Sequence, residues 1–126
     1  MMGRMKDKAL EEEEHTDVPG GAKRYNKGKL RWRNFPMFLM RPLIQVAHAG
    51  EQKYGTYNFL KGLTVNNCLD SLKRHLDSFE DPSQPDNDPE TGIIHLGPLA
   101  WNALVAAYIL KTKPELDDRY KGEEDE

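Results

Sequence analysis

Three carboxylates, Asp86, Asp88 and Glu90, alternate within the proline-rich stretch DPSQPDNDPETG (81–92) and end five residues before His95. Acids this close repel one another unless a cation sits among them. Hard ions such as Mg²⁺ or Mn²⁺ take oxygen ligands in that manner; a solvated acidic turn is the plainer alternative. A calcium loop fits poorly, because the twelve-residue pattern with its closing glutamate is missing. A second set of groups lies upstream. Residues 21–35, GAKRYNKGKLRWRNF, contain no acid, and Lys23, Arg24, Lys27, Lys29, Arg31 and Arg33 are interleaved with Tyr25, Trp32 and Phe35. Cations bind phosphates, rings stack on bases, and a carboxylate-held divalent ion neutralises phosphate charge and activates water. A nucleotide would use all three. Gly28-Lys29-Leu30 is no Walker loop, lacking the upstream glycine and the Ser/Thr, and no Ser-His-Asp or Cys-His grouping stands out.

The elements that must position these groups read as helices. The first is expected between Pro36 and Tyr54, with Pro36 suited to a first helical position and Pro42 breaking or restarting it. Beyond Pro42, Leu43, Val46, Ala47, Gly50 and Tyr54 recur at helical spacing, and Gly55 is a stop. Glu51, Lys53 and Tyr54 close this helix; read alone they are an amphipathic end with a snorkelling lysine. The second helix runs from Thr64 or Asn66 to Glu80, with Leu69, Leu72, Leu76 and Phe79 as its apolar stripe. His75 flanks that stripe and can point toward the third helix, while Arg74 points elsewhere. The third helix spans about 93–112 and is apolar in nearly every direction, which predicts burial all round. His95 and Asn102 are seven apart on one face of it, roughly shared by Thr91 at its entrance. Buried polar groups need partners, so these are either structural hydrogen bonders or the lining of a site. No segment alternates with period two, and the fold class expected is all-α.

Composition bounds the rest. The 126 residues make one domain with tails. The charges divide it into an acidic arm at 1–20, expected to be mobile, a basic helical domain at 21–113, and an acidic tail at 114–126, also expected to be mobile. The net charge of −3 thus hides a basic centre. No apolar run approaches the ~18 residues of a membrane span, and no secretory signal opens the chain. The single cysteine, Cys68, makes neither an internal disulfide nor a cysteine-based zinc site. A cytoplasmic location follows as the expectation. A core of ~90 residues is marginal alone, so a homo-oligomer is expected. A nucleic-acid binder is the competing class for 23–33, but six clustered cations between acidic ends make nucleic acid an unfavoured partner.

Taken together, several stretches resemble one family. RYNKGKLRW (24–32), Pro36, VAHAGEQKYGTYNF (46–59), KRHLDSF (73–79), DPETGIIHL (88–96) and AWNAL (100–104) stand in the order and rough spacing of the dATP/dGTP diphosphohydrolase N-terminal domain family, relatives of the MazG-like nucleotide pyrophosphohydrolases. The likeness covers residues 22–110. It implies a small, MazG-like helical bundle completed by oligomerisation, in the host cytoplasm if phage-encoded. It also implies metal-dependent hydrolysis of a purine deoxynucleoside triphosphate, dGTP or dATP, to the monophosphate and pyrophosphate. The family's His-Leu, Asp-x-Glu-Ser-Gly and His-Leu-Ala-His blocks fall on His75, on Asp88, Glu90 and Gly92, and on His95. Pro98 stands where the family has its second histidine, and Asn26 where it has an aspartate. The change at Pro98 keeps a nucleotide-binding protein without catalysis as the alternative.

From this likeness we expect His75, Asp88 and Glu90 to hold Mg²⁺ or Mn²⁺, with Glu51 completing the cluster or acting as base. Glu90 and His95 join Glu51 as catalytic candidates. Lys29, Lys53 and Arg74 are assigned to phosphates. Trp32, Tyr54 and Asn58 are assigned to the sugar or base, and Asn102 to orienting a ligand or the base.

Overall fold

The computed structural model describes residues 15–122. They fall into two compact units that divide after Pro36. The acidic run Glu11 to Glu14 and the last four residues, both expected to be mobile, lie outside the described residues. In the first unit, β1 (His15–Thr16) pairs antiparallel with β2 (Lys23–Arg24). The turn between them is closed by the Gly21 N–H donating to the Val18 carbonyl at 2.7 Å. Residues 15–20 thus supply one strand and part of the turn of a small hairpin. The remainder of 21–35 is irregular, as expected, with a single 3₁₀ turn at Trp32–Asn34.

The second unit is built on α1 (Arg41–Tyr54), α2 (Val65–Glu80) and α3 (Leu96–Thr112), and is all-α. Pro36 is outside α1. A 3₁₀ turn, Met37–Met40, leads in, and Pro42 occupies the first turn of the helix, where a missing N–H breaks no bond. The Thr64 hydroxyl caps α2 by accepting the Asn67 N–H at 3.3 Å. The segment beyond Pro114, expected to trail away, returns to that same end. The Asp118 carboxylate accepts the Asn66 N–H and the Asp118 carbonyl accepts the Asn66 amide, each at 2.8 Å, while Leu116 packs on the core.

α3 packs against both α1 and α2. The α2–α3 contact is antiparallel. Val65 and Cys68 meet Val105, Ala106 and Ile109 at one end, Ser71 meets Asn102 midway, and His75 meets His95 at the other. Phe59, Leu69, Trp101 and Leu116 seal this core. At the start of α3 a Cβ on Gly97 would stand 3.0 Å from Ile93 and 3.3 Å from Pro42, so the absence of a side chain eases the close approach of α1 and α3.

The expected burial pattern is corrected on two helices. α3 is not buried all round in the single chain: Leu104 is 56% exposed, and Leu96, Tyr108 and Leu110 are also exposed. The partners of α3 reach only part of its circumference. On α2 the fully buried positions are Val65 and Cys68, whereas Leu76 of the expected stripe is exposed. Pro98 sits in the first turn of α3, where its missing N–H has no intrahelical acceptor to lose.

Ile109 is 1% exposed in the apolar core at one end of the α2–α3 contact. Ile109→Ala should lower the unfolding free energy by about 2–5 kcal/mol, measured by denaturant titration.

Candidate metal centre and cleft

The acidic stretch before α3 is a built hairpin. The Asp88 N–H donates to the Ile93 carbonyl at 2.8 Å, the His95 N–H to the Asp86 carbonyl at 2.9 Å, and Asn87 bridges Ile94. Gly92, with φ +76°, turns the chain and donates to the Asp88 carbonyl at 2.7 Å. A carboxylate oxygen of Asp88 accepts the Glu90 N–H at 2.9 Å. Asp88 is thereby oriented by its own turn, while His95 is drawn to the N-terminal boundary of α3.

This hairpin delivers two side chains to one on α2. The Nδ1 atoms of His75 and His95 are 2.9 Å apart, and His75, Asp88 and His95 each place one donor atom within 4.8 Å of the others. His95 is 5% exposed; His75 and Asp88 are half-buried. Two imidazole nitrogens at this distance need exactly one shared proton or a common cation, since two N–H groups would repel. Burial first, with His95 and Arg74 adding to it, pushes His75 below its ordinary value, against the opposing pull of Asp88. This favours the neutral ring, the form in which an imidazole binds a metal. Donors of two imidazoles and a carboxylate, gathered in one place, fit a divalent transition ion.

His75 and Asp88 also line a cleft of about 1070 Å³ formed by α1, the connector after it, α2, the hairpin and the first turns of α3. Glu51, Lys53, Tyr54, Asn58, Arg74, Glu90 and Asn102 all border the same cleft. They are not equivalent there. Glu90 is outside the donor group and pairs with Lys53 at 3.2 Å. Glu51 accepts the Thr56 hydroxyl at 2.7 Å and is likewise outside it. Among the described residues, His95 rather than Glu90 supplies the third donor of this group. Arg74 turns toward the cleft after all. Asn102 donates one amide nitrogen to the Ser71 hydroxyl at 3.1 Å and to the Pro98 carbonyl at 2.8 Å. Lys29 and Trp32 belong to the first unit, where Lys29 closes a turn by donating to the Asn26 carbonyl at 3.0 Å and Trp32 is exposed. Sequence reasoning missed Ser71, whose signal was its place one helical turn before His75, and Tyr57, in the KYGTYNF stretch.

Because folding holds His75 below 6.5, the unfolded chain takes up its proton first as acid is added. Its contribution to stability is complete above about 6.5 and is lost as pH falls through that value toward the lower folded one. Thermal unfolding followed from about pH 8 to about pH 5 should show the midpoint dropping below about 6.5. The drop should be shallower in His75→Gln.

A family model described as dATP/dGTP diphosphohydrolase, N-terminal, matches residues 19–119. A dATP/dGTP diphosphohydrolase of Salmonella phage PMBT28 is 35% identical over 89 residues, 67% of this chain and 30% of the relative. The chain therefore spans under a third of that curated relative's length. No solved structure matches it. With the hairpin aspartate, the two histidines and the glycine turn on the stretches that carry the likeness, the chain belongs to the dATP/dGTP diphosphohydrolase N-terminal family.

Proposed function

We propose that this chain hydrolyses a purine deoxynucleoside triphosphate, dATP or dGTP, to its monophosphate and pyrophosphate, using a divalent ion. The observation that carries the reading is the gathering of His75, Asp88 and His95 donors within 4.8 Å beside a cleft that also holds Lys53 and Arg74. Between Mn²⁺ and Mg²⁺, two imidazoles weigh toward Mn²⁺, because Mg²⁺ prefers oxygen throughout. Held there, the ion would supply Lewis acidity at the anhydride and a water of lowered pKa.

The remaining residues have separable tasks. Lys53 and Arg74 bind the phosphates. The Lys53–Glu90 pair is solvent-exposed at both ends, so it is worth little and yields readily to a phosphate. That exchange frees Glu90 to take a proton, with Glu51 the other candidate base. Asn102 directs its amide hydrogens to Ser71 and Pro98, which leaves its oxygen as an acceptor for the ligand. Tyr54 and Asn58 border the sugar or base. One water is consumed, the bond from the α-phosphorus to the bridging oxygen breaks, and pyrophosphate leaves. The name of the phage relative supports the substrate class, and the exposed apolar side of α3 supports work as a homo-oligomer.

Incubating the full chain with each of the four dNTPs and Mn²⁺, then separating the nucleotides, tests this directly. Monophosphate and pyrophosphate are expected from dATP or dGTP, and Asp88→Asn should lose roughly 10–100-fold or more in activity. No monophosphate from any nucleotide contradicts the proposal. Tight nucleotide binding without turnover in excess Mn²⁺ would favour the second reading, a binding protein, which the proline at position 98 motivates.

A further inference from the structure

Tyr57 stands apart among the described residues as the non-glycine residue with positive φ, at φ 59° and ψ 27°. A left-handed conformation crowds Cβ against the backbone, and a bulky aromatic residue adopts it only against a conformational penalty. Glycine would hold the same turn freely, and the connector already uses glycine at 55 and 62, with φ of +96° and +108°. Packing does not explain the choice of tyrosine. Tyr57 is 67% exposed, and its recorded ring contact is with Phe59, nearly perpendicular at 6.5 Å. Strain of this kind persists at sites where a side chain is wanted for something other than stability.

The surroundings of Tyr57 indicate what that is. Tyr57 borders the cleft that His75 and Asp88 also line. Behind it, Phe59 meets Trp101 edge-on at 5.1 Å, and both pack on the core of Val65, Cys68, Val105 and Ile109. A ladder of three rings thus runs from the core to the open cleft, its inner rungs fixed and its outer rung exposed. Asn58 and Asn67, also on the cleft, offer amide donors and acceptors beside it.

We infer that Tyr57 is a stacking platform for the nucleobase of the nucleotide, with the strained backbone holding an aromatic face where packing alone would not keep one. The inference rests on the proposed nucleotide site and adds the part of the ligand that phosphate chemistry leaves unspecified. A stacked base is recognised by its π face, so Tyr57 contributes affinity for any purine, and edge contacts must set the choice between them.

The test compares the full-length wild type with Tyr57→Gly and Tyr57→Phe. Calorimetry with Mn²⁺ would use α,β-methylene dATP or dGTP as one probe and inorganic tripolyphosphate, which has no base, as the other. Tyr57→Gly is expected to weaken the nucleotide analogue about tenfold or more while tripolyphosphate stays within about twofold, and Tyr57→Phe to bind both as the wild type does. The thermal midpoint of Tyr57→Gly should be no lower than that of the wild type. Equal weakening of both probes, with a lowered midpoint, assigns Tyr57 to packing and overturns the inference. Loss in Tyr57→Phe assigns the hydroxyl rather than the ring and also overturns it. Unchanged nucleotide binding in Tyr57→Gly overturns the stacking role alone, whereas a wild type that binds neither probe removes the nucleotide site itself.

Discussion

The contact between the Nδ1 atoms of His75 and His95, at 2.9 Å, constrains the rest of the helical unit. Imidazoles so placed can share one proton or face one cation, but cannot both be charged. To hold them there, α2 and α3 must run antiparallel in a register that also sets Val65 against Ile109 and Ser71 against Asn102. The hairpin must reach back far enough for the Asp86 carbonyl to accept the His95 N–H. Gly97 must admit Pro42. Shifting α2 by one residue along α3 would turn His75 through about 100° and dissolve the group.

A division of labour follows from burial. The donors of the His75–Asp88–His95 group are buried or half-buried and held by one another and by the Glu90 N–H on Asp88, which makes them expensive to rearrange. The charges around them are exposed and exchangeable. Lys53 holds Glu90 in water, where an ion pair contributes little, and so can trade it for a stronger phosphate partner. A fixed centre with replaceable neighbours suits a ligand that brings several negative charges of its own. The aromatic ladder at the connector repeats the pattern, with Trp101 and Phe59 anchored and Tyr57 open.

The helices were legible because their signals are local. The apolar spacing of Leu43, Val46, Ala47 and Gly50, the proline at 42 and the Gly55 stop all act within a turn or two of the chain. The candidate site was legible by residue type and less so by grouping. Asp88, His75 and His95 stood out, yet Glu90 was expected in the ion group and instead lies with Lys53. An alternating run of acids does not reveal which of them a backbone turn orients, as the Glu90 N–H orients the Asp88 carboxylate, and which reaches a neighbouring cation, as Glu90 reaches Lys53. The burial of α3 was over-read for a related reason: a helix apolar on every side states what it could bury, and the number of partners reaching it depends on tertiary packing. The return of Asp118 to the start of α2, fifty-two residues away in sequence, left no local trace at all.

The central claim is that two histidines and one aspartate share a single divalent ion. Pulsed electron paramagnetic resonance of Mn²⁺ bound to the full chain reads the ligands of that ion directly. The account predicts nitrogen couplings from two imidazoles, reduced to one in His75→Gln. A bound ion surrounded by oxygen alone, or a spectrum unchanged by that substitution, would contradict it.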